Sequence, residues 1–506
     1  MKDKRRLLFA LLAPLQIMPV YADSNASLNS FKQGVSKIFA PTPTAVNTID
    51  LRTLSDFPID TSRVEELPVV GRPLSTSNMT GTGAASSSSA MNIANQSRQI
   101  GFSEAILQAV QRRPEITQSL SQLAAQGANI DIAKSGYYPQ ISGGLGTADL
   151  TSGERGRQVI SLEATQMLYD FGKTKSGVDI EKAKLEQKQA EVLVNIDDIA
   201  YQVANTIVNI KRYQDIVDIA NQQIKGISRI AEIAELRAKA GISSQADPIQ
   251  AQSNLEAAES NRIVQETQLI QFQQRLRTLL GYEVNGLNWQ IPDVIVQKAG
   301  LYDEPQFNQI PTMLVAQTGI QIAKYQKQQS KLSYYPTINL KGNLSQAVNG
   351  RNPNNNEDNG FYNSIMLEAS SNLYQGGAVS AQTRSASYAE EAAKAQVNTA
   401  YLDVLDQVRQ MREEIANKQK QMQVLNARKE TTIRTKELYQ EQYKLGTRTV
   451  VDLLNAEQAI HSAAQEIEAA RYDIYAAIVK YIQVTGRTRE LYSLNNIAIQ
   501  GFEIQP

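Results

Sequence analysis

The sequence predicts a mainly α-helical protein that also carries a membrane β-barrel and is built from two tandem repeats. Three observations lead to this fold class: an internal duplication, four short segments that alternate apolar and polar residues, and two very long helical segments without proline. In each repeat, two strands come before a long coiled-coil helical hairpin, so that one chain combines sheet and rod.

Composition excludes most kinds of active site. The 506 residues include no cysteine, one histidine and 51 basic against 51 acidic residues. Without cysteine there is no disulfide, thiolate metal site, cysteine nucleophile or lipid-modified N-terminal cysteine, and one histidine cannot build a multi-histidine metal site. A net charge of zero gives no electrostatic reason for nucleic-acid binding. Composition does not exclude enzymes as a class, but it removes the residues of most familiar active sites, and we expect no cofactor, no metal and no nucleic-acid partner.

The first 98 residues differ from the rest of the chain. Residues 1–22 have a basic start, an apolar centre and a cleavage site at Val20-Tyr21-Ala22, which together predict a secretory signal peptide. Residues 23–98 are rich in Ser, Thr and Pro and predict a poorly ordered N-terminal extension whose role the sequence does not reveal. No later segment has about 18 consecutive apolar residues, so any contact with a membrane must be made by strands.

The remaining chain is an internal duplication. Tyr137-Tyr138-Pro139 recurs as Tyr334-Tyr335-Pro336, and Leu168-Tyr169-Asp170-Phe171-Gly172 recurs 205 residues later as Leu373-Tyr374-Gln375-Gly376-Gly377. Eight additional residues in the second copy fall within 349–360, a segment rich in Asn, Gly and acidic residues that is typical of a loop. The duplication predicts a first repeat at 99–286, a linker at 287–310, a second repeat at 311–486 and a C-terminal tail at 487–506.

Each repeat begins with a helical segment, at about 102–133 and about 311–331, and continues into two predicted strands. The strands are expected at about 137–148 and 158–169, and at about 336–347 and 361–374. Ile160 and Leu162 alternate with Ser161 and Glu163, and Glu368 stands at the equivalent position of the second repeat. Because a carboxylate that faces lipid is destabilising, we expect Glu163 and Glu368 to face the lumen of a barrel.

A predicted helical hairpin follows each pair of strands, at 172–281 and at 378–485. In the first hairpin, apolar residues recur every seven positions from Ile196 to Ala238, and a second series lies three residues after members of the first. This is the pattern of a coiled coil. The arm that ends at Lys239 would be about 100 Å long at 1.5 Å per residue, and Gly241 and Gly446 predict the turns between arms.

Four strands per chain are too few to close a membrane barrel, which needs at least about eight, and an unpaired strand edge cannot lie in lipid. Two chains would supply eight strands and a filled interior, whereas three would supply twelve and a pore. The hairpins of the same chains would then form a helical tube on one side of the membrane. The alternative is a coiled-coil scaffold, periplasmic or at the cell surface, because heptads alone are typical of stalks.

These features together resemble the TolC-type outer membrane efflux proteins. The resemblance rests on the duplication, the Tyr-Tyr-Pro and Leu-Tyr-Asp-Phe-Gly motifs, and the turn Tyr443-Lys444-Leu445-Gly446-Thr447-Arg448-Thr449-Val450-Val451-Asp452. It implies a homotrimer in the outer membrane of a Gram-negative bacterium, with a twelve-stranded β-barrel continuous with a twelve-helix α-barrel in the periplasm. It further implies a periplasmic adaptor, an ABC or proton-driven inner-membrane transporter, contact with outer membrane lipid, and a gated conduit that performs no chemistry.

The resemblance also assigns roles to residues near the two turns. Tyr443 and Arg448, with Asp247 as their partner carboxylate, match the family's periplasmic gate, although the family's threonine beside that aspartate is Ala246 here. The tips that would dock on the adaptor correspond to Gly241, Ile242, Leu445, Gly446 and Thr447.

Asp452 matches an acidic ring that narrows the family's lumen and favours cations. The second aspartate of that ring, one helical turn further on, is replaced by Asn455 in this chain. We therefore expect a weaker negative constriction and a milder block by divalent cations.

Two questions stay open at the level of sequence. His461 is expected to be a surface or packing residue, and it would serve as a base only if the protein were a hydrolase, for which no nucleophile motif is present. The cargo is also undetermined, because the family serves both type I protein secretion and multidrug efflux. The Leu-Tyr-Asp-Phe-Gly joint and the lack of a lipidated cysteine favour protein secretion slightly.

Overall fold

The computed structural model describes residues 101–148, 157–284, 287, 289–352, 354–372, 374–495, 497–499 and 502–503. The predicted signal peptide at 1–22 and the predicted extension at 23–98 lie outside the described residues. The described chain forms two compact units. The sheet unit comprises Lys134–Asp170 and Pro336–Ser370, and the helical unit includes Phe171–Tyr335 and Ser371–Pro506.

Four antiparallel strands make up the sheet unit, in the order β1-β2-β3-β4. They are β1, Gln140–Ala148, β2, Arg157–Tyr169, β3, Thr337–Asn349, and β4, Phe361–Ser370. β1 begins three residues after the start that the sequence predicts. The reason is that the N–H groups of Tyr137 and Tyr138 close turns onto the carbonyls of Lys134 and Ser135, and Pro139 has no N–H to donate to a strand partner.

The register places most of the aliphatic residues of the four strands on one face of the sheet. Leu162 lies opposite Gly143 of β1 and Leu344 of β3, and Ile160 lies opposite Leu145. Most of the large apolar side chains of this face are exposed. Among the described residues, β2 and β3 are paired along both edges, whereas β1 and β4 are each paired along one edge. The sheet therefore presents an apolar surface and two open edges.

The helical unit is dominated by two hairpins of unequal arms. Its helices are α1, Phe102–Arg112, α2, Pro114–Ser135, α3, Lys173–Lys239, α4, Ala246–Leu280, α5, Asp293–Lys298, α6, Pro311–Leu332, α7, Ala378–Lys444, α8, Val450–Val484, and α9, Thr488–Leu491. A short ribbon of β5, Ala498–Ile499, and β6, Phe502–Glu503, follows. None of the described helices holds an apolar stretch long enough to cross a membrane.

The duplication preserved the lengths of both hairpin arms. The long arms, α3 and α7, have 67 residues each, and the short arms, α4 and α8, have 35 residues each. At 1.5 Å per residue the long arms measure about 100 Å and the short arms about 50 Å. This equality bears out the sequence comparison, in which the segment from 168 to 281 keeps a constant offset of 205.

The first helical segment is divided, in contrast to the single stretch that the sequence predicts at about 102–133. α1 ends at Arg112, and Arg113 adopts an extended backbone with ψ of 129° before Pro114 begins α2. The ring of proline disfavours helical geometry in the residue before it, and proline lacks the N–H that a continuing helix would use.

The main core of the helical unit also encloses the linker and the C-terminal segment. α1, α2, α3, α4 and α8 contribute most of its buried apolar side chains. Trp289 of the linker is buried in this core, as are Tyr492, Leu494 and Ile499 from the end of the chain. Residues that the duplication leaves outside the repeats are therefore integral to the packing.

A carboxylate is buried in this core where α9 packs near α3. Asp197 of α3 is buried, with Thr488 and Arg489 of α9 as its polar neighbours. Burial raises the pKa of Asp197 to about 7, and the positive charge of Arg489 offsets only part of that effect. The group is therefore protonated more readily in the folded chain than in the unfolded chain, where a carboxyl pKa is about 4.

Asp197→Asn is expected to make the protein more stable at about pH 8.5 and to change its stability little at about pH 4. A raised folded-state pKa contributes stability that is complete below the unfolded pKa and is lost as the pH rises through the folded pKa. Thermal unfolding of detergent-solubilised protein, followed by circular dichroism at both pH values, measures the effect. Asp218→Asn, an exposed change on the same helix, serves as the control, and equal shifts at both pH values for Asp197→Asn would contradict the assignment.

A second buried carboxylate joins three helices. Glu457 of α8 lies 3.2 Å from Nε2 of His461 and forms an ion pair with Lys436 of α7. A Cβ atom built on Gly226 of α3 would fall 2.6 Å from the Glu457 carboxyl carbon, so the glycine makes room for this group. Burial acts to raise the pKa of Glu457, but the hydrogen bonds from His461 and Lys436 hold it below its usual value. His461 is thus a packing residue.

Gly226→Ala is expected to destabilise the protein by about 1–2 kcal/mol, because the added methyl group displaces the Glu457 carboxylate from its partners. Alanine is otherwise a better helix former than glycine by about 1 kcal/mol. Gly319→Ala in α6 provides the matched control, since nothing lies within 4 Å of its new Cβ atom. Melting temperatures in detergent should fall for Gly226→Ala and stay level or rise for Gly319→Ala; the reverse order would be inconsistent with close packing at Gly226.

Candidate functional site

The two turns between hairpin arms share one hydrogen-bonding pattern. In the first, Gly241 has a φ of 70° and the N–H of Ile242 donates to the carbonyl of Arg237, 2.9 Å away. In the second, Gly446 has a φ of 77° and the N–H of Thr447 donates to the carbonyl of Gln442, 3.0 Å away. A left-handed residue with this six-residue hydrogen bond ends helices in the Schellman motif.

Both turns expose an apolar side chain at their surface. Ile242 is exposed in the first turn and Leu445 in the second. Gly241, Gly446 and Thr447 are exposed as well. All five residues that the sequence predicts as docking tips are therefore accessible, and the two apolar side chains offer area that a partner could bury.

Below the turns, the four hairpin arms share a compact apolar cluster, which we call the tip core. It consists of Ile227, Ile230, Ala234, Ala251, Ala258, Tyr443, Val450, Leu453 and Leu454. Tyr443 is 5% exposed, and its hydroxyl group has no hydrogen-bond partner among the described residues. A buried hydroxyl without a partner costs free energy, so Tyr443 combines a packing role with a polar group left unused in this conformation.

Arg237 connects the first hairpin to the second. Its guanidinium lies over the ring of Tyr443, 4.7 Å from the centroid, and its Nη1 donates to the carbonyl of Lys444 at 3.5 Å. The sequence patterns did not point to this residue. The signal was present, because Arg237 is a basic residue in the last turn of α3, where the equivalent residue of the second repeat is the uncharged Gln442.

Asp247 acts electrostatically on the buried tyrosine. Burial raises the pKa of the Tyr443 hydroxyl, the Arg237 charge lowers it, and the Asp247 carboxylate raises it again. The sequence placed Asp247 and Tyr443 together as members of a gate, and the structure brings them into the same neighbourhood.

Arg448 has partners other than the predicted one. Its Nε donates to Oε1 of Gln442 at 3.0 Å, its guanidinium lies 4.6 Å from the ring centroid of Tyr439, and its Nη1 is 3.8 Å from Asp452. Within the described chain, no hydrogen bond or ion pair joins Arg448 to Asp247. The local turn holds Arg448 against α7 and the start of α8.

Asp452 takes part in the cap at the start of α8, two residues after the helix begins at Val450. Its carboxylate accepts the N–H of Thr449 at 3.2 Å and the hydroxyl at 2.9 Å, while the Asp452 N–H donates to Thr449 Oγ1 at 3.3 Å, which completes a capping box. The hydrogen bonds from Thr449 lower the pKa of Asp452, so the carboxylate stays charged. Asn455 is exposed one turn further on.

The polar face of the sheet unit carries the two glutamates that the sequence predicts there. Glu163 lies opposite Asn343 of β3, and Glu368 lies opposite Asn339. Lys341, between those two asparagines, forms a 2.9 Å ion pair with Glu368. The sequence patterns did not point to Lys341, although its position on β3 has the same parity as the two polar asparagines. One cation between two carboxylates leaves this patch with a net negative charge.

The described residues contain no group of three or more acidic, histidine or cysteine side chains placed to hold a metal ion.

A model of the family described as "Outer membrane efflux protein" matches residues 105–282 and 308–487. The two matched segments correspond to the two repeats, with the linker between them.

Two relatives illustrate the similarity in sequence. The chain is 26% identical to outer membrane protein TolC of Salmonella enteritidis over 414 residues, which cover 76% of this chain and 82% of TolC. It is 21% identical to the alkaline protease secretion protein AprF of Pseudomonas aeruginosa over 334 residues, 63% of this chain and 67% of AprF.

The crystal structure of the outer membrane protein VceC of Vibrio cholerae matches with a TM-score of 0.65 at 15% identity, over 76% of this chain and 96% of VceC. At that level of identity the structural match concerns the fold. The family match covers well over half of the chain and its two repeats in order. The chain therefore belongs to the outer membrane efflux protein family, whose members are channels of the Gram-negative outer membrane rather than enzymes.

Proposed function

We propose that the protein is a trimeric outer membrane channel that forms the exit duct of a tripartite export system. One observation carries the proposal: a four-stranded sheet with one exposed apolar face and one polar face has open edges at β1 and β4. Such a sheet can lie in lipid only if neighbouring copies pair with both edges. Three copies supply twelve strands, enough for a barrel with an open lumen, whereas two copies supply eight and a filled interior.

In this assembly the polar sheet face, with Glu163, Glu368 and Lys341, lines the lumen, and the apolar face contacts outer membrane lipid. The helical hairpins of three chains form a tube of twelve helices in the periplasm. The exposed tips at Gly241–Ile242 and Leu445–Thr447 bind a periplasmic adaptor, which couples the duct to an ABC or proton-driven transporter in the inner membrane. Exposed Ile242 and Leu445 support this placement.

The tip core is the proposed gate. Tyr443, Asp247 and Arg448 lie beside the two turns, and Arg237 already links the hairpins through Tyr443 and Lys444. A charge-assisted hydrogen bond contributes about 1.5–3 kcal/mol, so a few such contacts can hold a tip closed and still be released by adaptor docking. The hydroxyl of Tyr443, which has no hydrogen-bond partner among the described residues, is available for such a contact.

The cargo is either secreted protein or small molecules. The name of AprF refers to secretion of an alkaline protease, which favours type I secretion, while the family description refers to efflux. A deletion strain and its complemented parent separate the two. Loss of particular secreted proteins with unchanged drug tolerance indicates protein secretion, and sensitisation to dyes, detergents or antibiotics with an intact set of secreted proteins indicates efflux.

The proposed channel is tested by reconstituting the purified, detergent-extracted trimer in planar lipid bilayers. We expect stepwise ionic currents of uniform size and a mass corresponding to three chains. A protein that stays soluble without detergent, or that inserts without conducting, would instead support the coiled-coil scaffold.

Asp247→Asn is expected to increase the single-channel conductance and the open fraction, because it removes the negative charge from the proposed gate. Glu259→Gln, an exposed change further along α4, should leave both unchanged. Bilayer recordings at matched salt concentration measure the effect. Equal conductance in the wild type and in Asp247→Asn would remove Asp247 from the gate.

Asp452→Asn is expected to lower the preference for cations, because it removes the charge while the amide oxygen can still accept hydrogen bonds from Thr449. Asn455→Asp should act in the opposite direction and strengthen block by divalent cations. Reversal potentials in a salt gradient provide the measurement.

Thr449→Ala is the control for the cap in this experiment. It removes the capping hydroxyl, at a cost of about 1 kcal/mol in stability, and it keeps the carboxylate. Selectivity that changes in Thr449→Ala but not in Asp452→Asn would show that the cap, and not the charge of Asp452, controls the pore.

A further inference from the structure

The loop between β3 and β4, residues 350–360, is folded against the sheet by a buried asparagine. Asn352 is 0% exposed, and its Nδ2 donates to the carbonyl oxygens of Ser345, at 3.1 Å, and Gly360, at 3.0 Å. Nδ2 of Asn354 donates to the Ser345 hydroxyl at 3.0 Å. Ser345 belongs to β3, so these bonds tie the loop to the strand that precedes it.

Burial shows which face of the sheet the loop covers. Ser345 and Ala347 are only 2% and 1% exposed, whereas their neighbours Leu344 and Val348 on the same strand are 44% and 54% exposed. Successive side chains of a strand point to opposite faces. Ser345 lies opposite Ser161, on the face of Glu163. The loop therefore bends over the polar face and leaves the apolar face open.

The loop is held in shape by its own residues. Oδ1 of Asn352 accepts the N–H of Asn354 at 3.1 Å, and Arg351 forms a 3.2 Å ion pair with Asp358. Asn356 and Asn359 have φ angles of 58° and 50°, a left-handed conformation that asparagine tolerates better than most residues. The asparagine-rich composition thus specifies a folded loop in the segment where the second repeat has eight additional residues.

We propose that this loop restricts the size of solutes at the outer mouth of the channel. The proposal rests on the function proposed above, since the polar face lines a lumen only in the closed barrel. The loop joins the end of β3 to the start of β4, whereas the chain continues into helices at the start of β3 and at the end of β4. If those helices are in the periplasm, as proposed, the loop lies at the outer mouth. In a trimer, three loops lean over the lumen and present Glu357 and Asp358, both exposed, to passing solutes.

Release of the loop is tested by Asn352→Ala in planar bilayers. Loss of the anchor to Ser345 and Gly360 should raise the single-channel conductance and admit larger neutral polymers in size-exclusion measurements. Gly360→Ala should act in the same direction by a different route, because its Cβ atom would fall 2.6 Å from Cβ of Glu357. Asn363→Ala is the matched control, because Asn363 lies on β4 opposite Leu344, on the apolar face.

A labelling experiment checks the same point with the hydrogen bonds of Asn352 left in place. The chain has no cysteine, so Asp358→Cys provides a single site for a bulky, membrane-impermeant thiol reagent. Labelling should reduce the current of open channels when the reagent is added to the outer side. Asn363→Cys, treated in the same way, should conduct as before.

The outcomes separate the two proposals. If the wild-type trimer conducts, but the conductance and the polymer cut-off are unchanged in Asn352→Ala and Gly360→Ala and labelled Asp358→Cys is not blocked, the loop does not narrow the mouth and the channel assignment stands. If the wild-type trimer does not conduct, the proposed function fails and the inference fails with it. A higher conductance in both loop variants together with block of labelled Asp358→Cys supports the inference.

Discussion

The open sheet with one apolar face is the constraint on which the rest of the protein depends. Backbone N–H and C=O groups along the free edges of β1 and β4 need partners, and hydrocarbon provides none. The chain also exposes a row of large apolar side chains on the same sheet. Both features are unfavourable for an isolated copy in water, and the proposed trimer would relieve both by pairing copies edge to edge within a membrane.

The duplication supplies the four strands of this sheet as two copies of one repeat, so it required little new sequence. The differences between the two copies lie at positions for which specific roles are proposed. The hairpin arms kept their lengths of 67 and 35 residues. Arg237 and Gln442 occupy equivalent positions at the two turns, yet only the arginine reaches the tyrosine ring of the other hairpin. The folded β3–β4 loop similarly belongs to the copy that contains the additional residues.

Several polar groups in the helical unit show that its packing is specific rather than merely apolar. Glu457 reaches Lys436 and His461 only because Gly226 leaves space on α3. Asp197 is buried, and this burial raises its pKa. Burying such groups costs free energy unless they are paired. The helices around each of them must therefore keep one particular alignment, because a shift would remove the neighbouring polar groups.

The sequence by itself determined the repeats, the alternation of the strands, the long hairpins and the turns at Gly241 and Gly446, because periodicity and glycine geometry are local properties of the chain. It also identified the family through motifs and their spacing. Only the tertiary structure decided which side chains meet. The partners of Arg448, the contact of Arg237 with Tyr443, the ion pair of Lys341 and the fold of the asparagine-rich loop all join residues whose proximity depends on packing, which no local pattern encodes.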